Sequence, residues 1–147
     1  MLKDTIYKLA IDSEIRFILA FHLTKSRRAA SAYILINKAK NYCELTYFIT
    51  DRLPSYNEAT TTVLSNIEHI ALAPMSRNIN NNLRKSFNKT FKASYKAKKR
   101  LNFFKKANKL IYLFIFHYNC IRAYESLNNF TPVEVASFAS DSFAKNY

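Results

Sequence analysis

Short apolar blocks dominate the first half of the chain. Ile6 to Ile11 and Arg16 to Leu23 are rich in β-branched and aromatic residues and are separated by Asp12-Ser13-Glu14, a pattern that predicts a β-hairpin. From Arg27 to Tyr42 the period changes. Ala32, Leu35, Ile36 and Ala39 recur at helical spacing, and Ser26 stands where an N-cap is expected. Leu45 to Thr50 is almost wholly apolar and ends at Asp51, as expected of a strand buried on both faces of a sheet. Pro54 and Ser55 open a helix through about Leu64, and Ile67 to Ala73 predicts a further strand, stopped by Pro74.

Beyond Pro74 the pattern is helical. Leu83, Phe87, Phe91 and Tyr95 form one aromatic stripe. Ala107, Leu110, Ile111, Phe114, Ile115 and Tyr118 form another, on a helix running to about Arg122. Both stripes are assigned to the core. Thr131-Pro132-Val133-Glu134 combines an N-cap, a proline at the first helical position and an early acid, opening a short last helix. The order β-β-α-β-α-β-α-α-α describes one mixed α/β domain over residues 1–147. Its sheet-rich part spans 1–73, and a basic helical part spans 74–147.

Composition adds three constraints. With 49% hydrophobic residues the chain carries too much apolar mass for a disordered protein. It has no segment of ~18 consecutive apolar residues and no signal-peptide pattern, so no membrane partner is expected and the expected location is the cytoplasm. It also has no glycine, so turns at positive φ must use Asn or Asp or be strained.

Charge distribution says more than total charge. Between His69 and Tyr124 lie thirteen Lys or Arg and no Asp or Glu, whereas ten bases and ten acids balance in the rest of the chain. A single-sign run of this size favours a polyanionic partner over a merely solvated face, and phosphate backbone is the commonest one. Lys89, Lys92, Lys96, Lys99 and Arg100 recur three or four apart, so they can share a helix face. With Arg84, Lys85 and Lys98 they form the candidate DNA-contact set, expected to touch phosphates without reading bases. Arg122 is assigned instead to anchoring the last helices.

The order of several segments resembles that of DDE-type insertion-sequence transposases. Ile11 to Phe21 and Ser31-Ala32-Tyr33 look like that family's second and third strands and first helix. Phe48-Ile49-Thr50-Asp51 followed by Leu53-Pro54-Ser55-Tyr56-Asn57-Glu58-Ala59 is similar to its "TDG-x-PSY-x-x-A" segment. Glu68-His69-Ile70 and Asn81-Asn82-Leu83 through Lys92 are similar to its "NN-x-x-ERF-x-x-x-K" helix and the segment before it. Tyr118-Asn119, Arg122, Glu125-Ser126-Leu127 and Thr131-Pro132-Val133-Glu134 resemble its carboxy-terminal motif.

The resemblance implies an RNase H-like (retroviral-integrase-like) mixed sheet and Mg²⁺ held by three carboxylates, two metal ions serving polynucleotidyl transfer. It places the second carboxylate at Asp51 and the third at Lys85, where an ammonium would repel Mg²⁺. The first would precede Met1, since Asp4 is too close to Asp12 to stand in for it. Arg52 and Tyr124 also depart from the family's Gly and His at those motif positions. These departures imply a truncated, catalytically inactive pseudoenzyme lacking its first strand, with Asp51 as a weak metal site and no tightly bound cofactor. It would act in DNA transposition or recombination only as a DNA-binding remnant, associated with a prokaryotic nucleoid when bound. Two alternatives remain: a repressor of the parent element, forming homo-oligomers or mixed oligomers with intact transposase, and an active Mg²⁺-dependent recombinase using other carboxylates.

Overall fold

The computed structural model describes residues 6–42, 45–51, 54–64, 67–72, 86–92 and 104–144. Strands β1 (Ile6–Ile11) and β2 (Ile18–Thr24) lead to helix α1 (Ala29–Lys40), strand β3 (Tyr47–Asp51), helix α2 (Pro54–Val63) and strand β4 (Glu68–Leu72). Residues 86–92 are helical (α3), followed by α4 (Phe104–Phe116), a π-helical turn (His117–Ile121), a 3₁₀ turn (Glu125–Leu127) and α5 (Pro132–Ala144). The element order is the one expected from the sequence.

The chain divides into two compact units. One contains residues 3–10 and 19–81, and the other contains 11–18 and 82–147 with the first two residues. The division therefore leaves most of each hairpin strand in one unit, and the bend, with Ile11 and Ile18, in the other.

In the first unit, β1 pairs with β2. So short a link permits only antiparallel pairing, and the Asp12 N–H donates to the Phe17 carbonyl at 2.8 Å. β3 and β4 pair in parallel, Tyr47 opposite Glu68 through Asp51 opposite Leu72, with α2 as the crossover. Among the described residues these are two separate two-stranded sheets, not one continuous mixed sheet. That corrects the expectation that Leu45 to Thr50 is buried on both faces. Thr50 is buried but Tyr47 and Ala71 are exposed, so the pair is not covered on both faces along its length.

Helix α1 forms the centre of this unit because its apolar positions 32, 35, 36 and 39 lie on adjoining rows. Ala32 and Ile36 pack with Tyr56, Ala59, Val63 and Leu64. Leu35 and Ala39 pack with Ala10 and Ala20 of the hairpin. Its basic last turn serves the same packing: the Lys38 ammonium donates to the Phe21 carbonyl (3.5 Å) and Lys40 to the Val63 carbonyl (3.2 Å). Ser26 is not the N-cap. Arg28 holds that position without a side-chain cap bond, while the Ser26 hydroxyl accepts the Arg28 N–H at 3.2 Å in the turn before the helix.

The second unit is built on rings. Phe87 and Phe91 stack at 6.1 Å, and both meet Phe114 edge-on, at 5.4 and 5.3 Å. Phe87 also meets Tyr118 at 5.3 Å, and Tyr118 meets Tyr124 at 5.2 Å. Of the two stripes read from the sequence, Phe87, Phe91, Ala107, Ile111 and Tyr118 are buried and Leu110, Phe114 and Ile115 half-buried; Leu83 and Tyr95 lie outside the described residues.

Glycine's absence shows in the turns. Positive φ occurs at Asn128 (54°), Asn129 (64°) and Arg16 (61°). The two Asn tolerate this conformation, but Arg16 is strained by it.

Candidate functional site

The candidate carboxylate, Asp51, is the last residue of β3 and lies in register with Leu72 on β4. Immediately before it, the sheet is tied to α2 through a chain of hydrogen bonds that sequence reasoning missed. The buried Thr60 hydroxyl, in α2, lies 2.8 Å from the Tyr56 carbonyl and 3.1 Å from His69 Nδ1. Thr50 Oγ1 lies 2.7 Å from His69 Nε2.

A hydroxyl has one proton, so the bonding direction follows. Thr60 donates to the Tyr56 carbonyl and accepts the Nδ1–H of His69, and His69 Nε2 accepts the Thr50 proton. The arrangement uses neutral imidazole, in agreement with a His69 pKa pushed below its ordinary value by burial. The sequence signals were the "TD" pair and the Glu68-His69-Ile70 segment; nothing in the chain pattern announces that this histidine, eighteen residues beyond Asp51, faces the Thr before it.

These residues do not fit the family's metal pair. Two divalent ions require several carboxylate oxygens. His69, on the strand beside Asp51, has both ring nitrogens engaged by hydroxyls. Among the described residues, no three His, Cys, Asp or Glu are grouped to hold a metal ion.

Of the expected DNA-contact residues, Lys89 and Lys92 are exposed on α3, one turn apart, while Phe87 and Phe91 turn inward. Arg84, Lys85, Lys96, Lys98, Lys99 and Arg100 lie outside the described residues. Lys106 and Lys109 extend the exposed positive surface along α4. Elsewhere a basic side chain is structural: Lys8 is buried in β1, with its ammonium 4.7 Å from the centre of the Tyr56 ring. Near it, the His22 pKa is lowered by burial and then by the charges of Lys38 and Lys8.

The carboxy-terminal motif does its work in the second unit. The π-helical turn brings two successive residues, Tyr118 and Asn119, inward. The Asn119 side-chain amide accepts the Ile18 N–H at 3.0 Å and donates to the Ile18 carbonyl at 3.1 Å, both in buried surroundings. Asn119 therefore acts as a one-residue strand partner for the start of β2. Two guanidinium groups lie over the Tyr124 ring, Arg122 at 5.1 Å and Arg16 at 5.6 Å from its centre. Burial, followed by Tyr118, raises the Tyr124 pKa strongly.

Residues 3–122 match the family model of the DDE domain. The chain belongs to the DDE-domain family of insertion-sequence transposases. No curated protein and no solved structure matches it significantly. Membership makes transposition the relevant process and DNA the family's substrate, and implies the RNase H-like fold. Among the described residues of this DDE domain, no helix is long and apolar enough to cross a membrane.

Proposed function

We propose that this DDE domain binds DNA through its basic helical half and performs no strand transfer. The observation that carries this reading is Lys85, which stands where the family motif has its metal-binding Glu, inside a stretch from His69 to Tyr124 that contains no acid at all. Asp51 is then a carboxylate without the partners that two-metal chemistry requires. The same stretch supplies the phosphate contacts: Arg84, Lys85, Lys89, Lys92, Lys96, Lys98, Lys99 and Arg100, held without base readout. The exposure of Lys89 and Lys92 beside buried Phe87 and Phe91 supports the assignment.

The test is duplex DNA binding by fluorescence anisotropy at two salt concentrations, with Mg²⁺ or Mn²⁺ and gel analysis of the same samples. Tight, salt-sensitive binding without a metal-dependent product is expected. The double change Lys89→Glu and Lys92→Glu should weaken binding to all sequences alike and flatten the salt dependence by about 0.9 per lost phosphate contact. Cleavage or strand transfer abolished by Asp51→Ala would overturn the reading.

A further inference from the structure

Two basic side chains from distant parts of the sequence meet at one ring of the second unit. Arg16, in the bend between β1 and β2, and Arg122, just after the π-helical turn, hold their guanidinium groups 5.6 and 5.1 Å from the centre of the Tyr124 ring. They are therefore no farther apart than the sum of those distances, within reach of two successive phosphates of one strand. One guanidinium suffices to stack on a ring, whereas two beside the same ring repel each other. Among the described residues no carboxylate pairs with either. Asp12 gives its side chain to the N–H groups of Glu14 and Ile15. Glu14 and Glu125, close by in sequence and exposed, form no ion pair with the arginines.

Arg16 is also held at a φ of 61°, which disfavours any side chain with a Cβ, in a bend where Asn would be less strained. Strain of this kind gathers at ligand-binding positions, where the surroundings hold it in place. The ring adds an unmatched donor. The Tyr124 hydroxyl is buried, burial keeps its proton on, and among the described residues it makes no hydrogen bond. The Tyr118 hydroxyl stands near enough to raise the Tyr124 pKa further but outside hydrogen-bond geometry. Donors thus gather here without an acceptor.

We infer that Arg16 and Arg122 form an anion site for the phosphate backbone of a nucleic acid strand, a contact separate from the lysines of α3. Guanidinium forks match phosphate oxygens in pairs and are poorly replaced by an ammonium. Arg122 lies within the acid-free stretch from His69 to Tyr124, so the local field favours an anion. Tyr124 packs on Tyr118, and Tyr118 on Phe87 of α3, the helix that exposes Lys89 and Lys92. One ring cluster therefore carries both basic sites, and a strand along α3 reaches the arginine pair within a few phosphates. The site adds to the basic helices and rests, as they do, on the reading of this domain as a DNA binder.

The test titrates the full chain with inorganic phosphate at constant ionic strength while the arginine Nε–H resonances are followed by NMR. Affinity for a short duplex is then measured by fluorescence anisotropy, with circular dichroism confirming that each variant is folded. Phosphate should shift the Arg16 and Arg122 resonances together, with one dissociation constant; arginines that only cover the ring would not respond. Arg16→Asn should weaken phosphate binding at Arg122 and duplex binding about tenfold each, and flatten the salt dependence by about 0.9. Arg122→Lys should keep that salt dependence but lose the affinity that paired hydrogen bonds supply. Phosphate that shifts neither arginine overturns the inference. Duplex binding that Lys89→Glu with Lys92→Glu weakens but Arg16→Asn leaves unchanged overturns this site alone. A wild type that binds no duplex defeats the reading of the domain together with it.

Discussion

Replacing Asn119 probes the joint between Ile18 and the π-helical turn. Its amide satisfies both the N–H and the carbonyl of Ile18, and the two residues are 5% and 3% exposed. Asn119→Leu keeps the branched shape but leaves two buried backbone groups without partners. At about 1–3 kcal/mol for each orphaned group, the cost is about 2–6 kcal/mol, a large share of the ~5–15 kcal/mol that stabilises a typical domain. For a chain of this size it corresponds to a melting temperature lower by roughly 10 °C. Asn119→Asp is more discriminating. Its carboxylate still accepts the Ile18 N–H but places an anionic oxygen against the Ile18 carbonyl, and protonation restores the missing donor. The deficit of Asn119→Asp relative to the wild type should therefore shrink as pH falls towards ~4. Urea unfolding at pH 7.5 and pH 4.5, followed by far-ultraviolet circular dichroism, reads both effects. If each variant lies within about 0.5 kcal/mol of the wild type, the amide does not hold this joint and the argument fails.

Arg16 combines a strained φ of 61° with a guanidinium over the Tyr124 ring. Arg16→Asn relieves much of the strain but loses a stacking contact of about 0.5–1 kcal/mol, so urea unfolding should find it nearly neutral. Arg16→Val, β-branched and without the charge, should cost about 2 kcal/mol in the same measurement. His22 and His69 have folded pKa values below the ordinary 6.5. The unfolded chain takes up these protons first, so their contribution is fully present above about pH 7 and is lost as pH falls below 6.5 towards the folded values. Melting temperatures measured from pH 8 to pH 5 should show that loss, and His22→Gln with His69→Gln should flatten it. In α5, the Glu134 carboxylate accepts the Thr131 N–H and hydroxyl, both at 2.8 Å, in a capping box that lowers its pKa. Thr131→Ala should destabilise the last helix by about 1 kcal/mol, seen as faster amide hydrogen exchange over its first turn.

The elements were legible in the sequence because each follows from local chemistry. Period-two and period-3.6 patterns respond to a single buried face, and Asp12 marked the bend through its side chain, which accepts the N–H groups of Glu14 and Ile15. The aromatic stripes, the Thr131–Glu134 cap and the recourse to Asn for left-handed turns followed in the same way, since all act over four residues or fewer. Asp51 could also be placed at a strand end, because a strand's last residue is a one-dimensional fact. Tertiary structure decided what depends on distant partners. That Leu45 to Thr50 belongs to a half-open pair of strands, that His69 ties Thr50 to Thr60, and that Asn119 completes Ile18 across a separation of 101 residues left no periodic trace. A side-chain hydrogen bond needs only one residue at each end, so pattern cannot reveal it; the fold has to bring the two ends together.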